Sequence, residues 1–241
     1  MFEAHAFSNS CQQDKVETYM TVTGALLWLA ACTRPDLAFC VSVLARFVSN
    51  PAEAHYVAMQ RALIYLRDHA DFGLHYAPDR SGLVVYSDAN WSERLSTSGA
   101  AFFFCGCLVA WYSRLQRCVS HSTAEAEFVA ASAAAREGIF HREVLADLDE
   151  TPSGPTPLRL DSKSAIDLTF DAVAFKKTKH ILRDAYFLRD VVARLVFAPT
   201  HVSSEDELAD ALTKALGRAV FARLRDLLMG VDPGKPRSRR G

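Results

Sequence analysis

The sequence predicts an α/β protein: a mixed five-stranded sheet flanked by helices, preceded by a small helical segment. Three observations carry that expectation. As far as His69 the apolar residues recur at helical spacing, with no run that reads as a strand. From Leu83 onward, short β-branched and aromatic runs alternate with longer helical stretches. The order of that second part is three strands, a helix, a strand, helices, a strand and a helix, which packs as helices on a mixed sheet.

The first helix is expected from Tyr19 to Ala31, after a polar, loosely ordered segment over residues 1–18. Thr33-Arg34-Pro35-Asp36 breaks it, and Pro35 suits the first turn of a second helix through Phe39, Val43 and Phe47. Asn50-Pro51 stops that helix. A third runs from Glu53 to His69, with Val57, Ala58, Leu63, Tyr65 and Leu66 as its expected buried stripe. The change of character near Asp71 marks a domain boundary, so residues 19–71 form one unit and residues 72–216 another. Within the second, Phe72 to Tyr76 reads as a short strand and Ala77 to Gly82 as a turn. Leu83–Ser87, Ala100–Phe104 and Leu108–Tyr112 read as strands, the last two joined at Gly106 as a hairpin. An alanine-rich helix from Ser122 to Leu148 follows, then a proline-containing loop, a strand over Leu158–Asp161 and a helix over Ser162–Leu168. Beyond these are a helix over Ile181–Arg194, a strand over Leu195–Ala198 and a helix over Glu205–Ala215. Residues 217–230 carry a last helix, and residues 231–241, with Lys235, Arg237, Arg239 and Arg240, form a basic tail expected to be disordered.

Composition narrows the function classes. The 241 residues are 50% hydrophobic, enough for a substantial core. A formal net charge of −1 offers no global attraction to polyanions, so contact with nucleic acid must come from local basic clusters. Six cysteines, at 11, 32, 40, 105, 107 and 118, include one close pair and no second pair at zinc-ligand spacing, so they read as buried reduced thiols. The start, Met1-Phe2-Glu3-Ala4-His5, lacks a signal peptide's basic and apolar regions, and Val22 to Cys32 is too short to span a bilayer. The expectation is a soluble intracellular chain, cytoplasmic or nuclear, with no membrane partner.

Four acids stand where a fold converges side chains. Asp88 follows Leu83-Val84-Val85-Tyr86-Ser87 at a strand end, and Asp161 ends Pro157-Leu158-Arg159-Leu160. Glu127 lies in the first turns of the alanine-rich helix, and Asp210 lies in Asp206-Glu207-Leu208-Ala209-Asp210. Singly, each is equally well a turn residue, a helix cap or a solvated charge. Together, four converging carboxylates raise one another's pKa unless a cation neutralises them. Oxygen donors of this kind select hard divalent ions such as Mg2+ or Mn2+, and a pair of such ions suits phosphodiester hydrolysis.

Five motifs give these acids a context: Tyr86-Ser87-Asp88-Ala89-Asn90-Trp91, Ser96-Thr97-Ser98-Gly99, Ser122-Thr123-Ala124-Glu125-Ala126-Glu127-Phe128, Lys177-Thr178-Lys179-His180-Ile181 and Ala209-Asp210-Ala211-Leu212-Thr213-Lys214. In this order they resemble the ribonuclease H domain of copia-type LTR retrotransposon polyproteins. Thr33-Arg34-Pro35-Asp36-Leu37-Ala38-Phe39 is similar to the end of the reverse transcriptase (thumb and connection) in the same Pol polyproteins. The resemblance implies a ribonuclease H-like sheet and four metal-binding carboxylates at Asp88, Glu127, Asp161 and Asp210. Glu127 is preferred to Glu125 because Glu127-Phe128-Val129-Ala130 matches the family's helix-borne glutamate. It further implies two Mg2+ ions, with Mn2+ as substitute, Asp88 bridging both, and an RNA/DNA hybrid as substrate. His201, nine residues before Asp210, resembles a histidine that assists product release.

Lys177, Lys179 and His180 are expected to hold hybrid phosphates, and Ser96, Thr97 and Ser98 to bond backbone or sugar groups. A solvated basic face and a simple turn are the alternative readings of these two groups. Departures from the family are Asp161-Ser162 in place of Asp-Asn, and Asp171-Ala172 and Phe175 where Asn-Pro and a histidine are usual. Two functions follow from the resemblance: a hybrid-specific endoribonuclease whose partners include the rest of a reverse transcriptase, or a catalytically silent relic that binds nucleic acid or only folds.

Overall fold

The computed structural model describes residues 2–170 and 182–231, with the backbone alone for residues 2–12. The chain divides into two compact units, Met1–Gly73 and Leu74–Gly241. Lys177, Lys179 and His180 lie outside the described residues, as does the basic tail from residue 232.

The first unit is helical: α1 (Phe2–Cys32), a 3-10 turn (Pro35–Leu37), α2 (Ala38–Ala45) and α3 (Glu53–Asp68). The segment expected to be loosely ordered is instead the first half of α1. Its polarity does not exclude a helix, since no proline or glycine before Gly24 interrupts it. Tyr19, Leu26, Leu37, Val41, Leu44, Met59 and Ala62 form the core, and the Tyr19 hydroxyl donates to the Leu44 carbonyl at 3.0 Å. The buried face of α3 is Met59 and Ala62, whereas Val57 and Leu63, expected inside, are exposed. The Arg34-Pro35-Asp36 break is a structural junction. Arg34 Nε and Nη2 donate to the two Asp36 carboxylate oxygens at 2.9 and 2.8 Å, with both side chains buried. The Tyr65 hydroxyl donates to Asp36 Oδ2 at 2.8 Å and Arg34 Nη1 to the His69 carbonyl at 3.1 Å, so one buried ion pair ties the end of α1 to α3.

The second unit carries the expected five-stranded mixed sheet. Its strands are β1 (Val84–Asn90), β2 (Thr97–Phe104), β3 (Cys107–Leu115), β4 (Thr156–Leu160) and β5 (Phe197–His201), in the order β3-β2-β1-β4-β5. β1, β2 and β3 pair antiparallel, while β1, β4 and β5 pair parallel. Parallel neighbours require crossovers, and these are supplied by α4 (Thr123–Asp147) and by α5 (Lys163–Phe170) with α6 (Leu182–Ala193). Val85, Phe102, Phe128, Leu158, Leu160, Leu188 and Phe197 fill the core between sheet and helices. α4 lies close to the sheet because its inner face is small: Ala126, Ala130, Ala131, Ala134 and Ala135 are fully buried. A Cβ at Gly138 would stand 2.8 Å from Phe197 Cζ.

Two expected elements take another form. Phe72–Tyr76 is not a strand: it pairs with neither edge strand, and the His75 amide donates to the Met229 carbonyl instead. Glu205–Ala215 is reduced to a 3-10 turn, Leu208–Leu212, before the last helix, α7 (Arg218–Leu228). Of the cysteines whose side chains are described, all five are free and Cys107 alone is buried, because Cys32, Cys40, Cys105 and Cys118 fall at helix ends and loops or on a half-covered face. No described helix is long and apolar enough to cross a membrane.

Candidate metal centre

Parallel pairing of β1 and β4 sets Val85 beside Leu158 and Tyr86 beside Arg159. Asp88 and Asp161 each lie two residues beyond that last pair. The pairing therefore delivers both carboxylates to one level at the carboxyl ends of adjacent strands, where open α/β sheets place their ligands. The third acid comes from the 3-10 turn. Gly99, the register partner of Asp88 on β2, lets that turn settle onto the sheet. A Cβ at Gly99 would lie 2.7 Å from Thr213 Cγ2, 2.8 Å from Leu212 Cβ and 3.2 Å from the Ala209 carbonyl oxygen. One oxygen from each of Asp88, Asp161 and Asp210 lies within 4.8 Å of the other two, and Asp88 and Asp210 are buried.

Glu127 approaches from the first turns of α4, outside that mutual 4.8 Å distance but close enough to respond to the cluster. Burial pushes its carboxyl up; the Ser162 hydroxyl works against this, and the charges of Asp161 and Asp88 add to it. Glu125 is used differently. Ser122 caps α4 by accepting from the Glu125 amide at 3.2 Å, while the Glu125 carboxylate accepts from the His121 amide, a reciprocal cap that turns this acid toward the preceding loop. Asp161 accepts from the Ser204 hydroxyl at 3.2 Å. Asp88 accepts from the buried Thr213 hydroxyl, which fixes its rotamer.

Crowding of like charge shows at Asp210, whose carboxyl is raised to about 6, chiefly by burial and then by Asp88 and Asp161, despite a hydrogen bond from Lys214. Lys214 Nζ lies 2.8 Å from Asp210 Oδ1 and 3.5 Å from Asp88 Oδ2. Burial opposes its charge, yet Asp88, Asp210 and Asp161 hold the ammonium above its usual range.

A fifth acid went unread in the sequence. Glu207 is fully buried, caps the 3-10 turn by accepting from the Ala209 amide at 3.0 Å, and keeps Oε2 without a hydrogen-bond partner. Burial drives its carboxyl well above the usual range, and Asp88, Asp161 and Asp210 add to the shift. The signal was its position three residues before Asp210 at the start of a turn, which alone does not separate a buried cap from a solvated charge.

The remaining expected site residues are placed as follows. His201 ends β5, exposed, and pairs in register with Leu160, beside the point where Asp161 leaves β4. Ser96, Thr97 and Ser98 are buried on and before β2. The Ser98 hydroxyl accepts from Gln116 Nε2 at 2.9 Å and that of Ser96 from the Ser92 amide at 3.3 Å, so both are engaged inside the protein. Gln116, buried, also donates to the Ala126 carbonyl at 2.8 Å and accepts from Ser120 at 3.0 Å, joining β2 to the start of α4.

The donor set fits a hard divalent cation: oxygen ligands only, two of the three buried, and crowded enough to raise the Asp210 carboxyl. Fold and site define an α/β protein with a carboxylate cluster where the antiparallel and parallel halves of its sheet meet.

A retrovirus-related Pol polyprotein from a transposon of Nicotiana tabacum is 33% identical over 214 residues, 87% of this chain and 16% of the polyprotein. With similar matches to two transposon Pol polyproteins of Arabidopsis thaliana, the chain belongs to the retrovirus-related Pol polyproteins of copia-type transposons. It spans about one-sixth of their length. The secreted RxLR effector protein 161 of Plasmopara viticola is 41% identical over 129 residues, 51% of this chain and 89% of that protein. Among solved structures, ribonuclease H1 of Halobacterium salinarum is similar at 20% identity and a TM-score of 0.41, over 55% of this chain and 95% of its own. No family model matches the chain.

Proposed function

We propose that the second unit is a ribonuclease H module that hydrolyses the RNA strand of an RNA/DNA hybrid, with Asp88, Glu127, Asp161 and Asp210 holding its divalent cations. The observation that carries the reading is the convergence of Asp88, Asp161 and Asp210 within 4.8 Å in a chain of Pol polyprotein family. Magnesium or manganese bound there would supply Lewis-acid stabilisation of the phosphodiester and a bound water more acidic than bulk water.

The chain's own residues prepare that chemistry. The Thr213 hydroxyl orients Asp88, and Ser204 orients Asp161. Asp210, with its carboxyl raised to about 6, is mostly ionised at neutral pH and so in the form that ligates. The 3-10 turn and β2 cover the buried side of the cluster, at Asp88 and Asp210, while Asp161 is half-buried. Recognition of RNA over DNA falls to groups that meet 2′-hydroxyls, and Lys177, Lys179 and His180 serve the phosphates.

The test is a substrate panel: labelled RNA/DNA hybrid, duplex DNA and duplex RNA, each with Mg2+ and with chelator. Cleavage of the hybrid alone, and only with metal, is the expected result. A folded chain that cuts none of them leaves the alternative, a catalytically silent module that binds nucleic acid or only folds.

A further inference from the structure

Lys214 is the one described cation in ion-pair contact with the acid cluster, and the proposed chemistry gives it no role. Its ammonium sits on Asp210 Oδ1 at 2.8 Å and faces Asp88 Oδ2 at 3.5 Å. Both residues also belong to the group whose oxygens converge within 4.8 Å. An ammonium on these oxygens and a divalent cation among them cannot be served at full strength together. The close Lys214 contact covers an Asp210 oxygen that a metal would take, and two cations at such separations repel strongly where water is scarce.

The geometry points to Lys214 as a built-in counter-ion that competes with divalent metal for Asp88 and Asp210 and so sets the metal concentration at which the site fills. This inference rests on the metal-binding reading of the site. Three features make the competition local and specific. Lys214 lies just past the end of the 3-10 turn, four residues beyond Asp210, so its long stem can swing in or out without rearranging the turn. The preceding residue, Thr213, pins the backbone by its bond to Asp88, so the ammonium is delivered to one place. Its side chain is one-third exposed, which gives the displaced ammonium a route to solvent or to a substrate phosphate.

Calorimetric titration of the whole chain with Mn2+, for wild type, Lys214→Gln and Lys214→Arg, tests this directly, with melting of each protein in chelator alongside. Removal of the charge should tighten Mn2+ binding by about tenfold or more while lowering the melting temperature in chelator, and Lys214→Arg should stay near wild type in both. A residue with a merely structural role would lower the melting temperature without tightening the metal. Lys214→Gln binding Mn2+ no more tightly than wild type overturns the inference. A wild-type chain that binds no Mn2+ overturns the metal site itself, a distinct outcome.

Discussion

Gly99→Ala should disable the site while leaving the fold in place, because the space that glycine leaves open is what seats the turn carrying Asp210. The added methyl would lie 2.7 Å from Thr213 Cγ2 and 2.8 Å from Leu212 Cβ. Carbon pairs are comfortable at about 3.5–4.0 Å, so the turn must retreat by roughly 0.7–1.3 Å. Overpacking of this kind costs about 1–3 kcal/mol, against which alanine's better strand entropy returns roughly 0.5–1 kcal/mol. The loss at the site is larger, because Thr213 holds Asp88 and the same turn carries Asp210. A displacement near 1 Å at reacting groups costs on the order of 100-fold in rate.

Single-turnover cleavage of a hybrid, with Mn2+ titration and thermal melting of the same protein, separates these effects. Gly138→Ala is the matched control. Its methyl would meet Phe197 at 2.8 Å, at the start of β5 and so at the far end of that strand from His201. It should lose comparable stability and keep its rate and metal affinity. A Gly99→Ala protein that cuts and binds metal like wild type would refute the reasoning.

Metal affinity should depend on pH through Asp210. Its folded carboxyl is raised to about 6 from an ordinary 3.8, so without metal its stabilising contribution is full below about 4 and lost as pH rises through about 6. Binding has the opposite sign, since the ligating form is ionised: the melting gain from Mn2+ should shrink as pH falls through about 6, and a gain unchanged from about pH 7.5 to 5 would contradict this. In the first unit, Asp36→Ala leaves Arg34 buried and unpaired and should cost about 3–5 kcal/mol in urea denaturation. A change under about 1 kcal/mol there would show that water reaches Arg34.

What could be read from the sequence was whatever depends on local pattern. Asp88 and Asp161 were legible as acids at the ends of apolar runs, and register brings them level without further information. The sheet followed from alternating runs and Gly106, whose φ of 72° makes the β2–β3 turn possible. What was not legible depends on which surfaces approach. Gly99 looks like any turn glycine until the 3-10 turn lies over it. Glu207 and Asp210 are both acids in a helical pattern, and only packing decides that one caps the turn, fully buried, while the other faces the cluster. Val57 and Leu63 fit a helical stripe as well as Met59 and Ala62 do, and the direction of α1 and α2 chose between them.

The most direct test of the metal-centre account is the single-turnover rate of RNA/DNA hybrid cleavage by Asp88→Asn against wild type at saturating Mg2+. Asparagine keeps the shape and the Thr213 contact but removes the charge at the centre of the cluster. The account predicts a loss on the order of 1,000-fold or more, the scale of a lost electrostatic contribution in a water-poor site. Cleavage within about tenfold of wild type would place the reaction elsewhere on the chain.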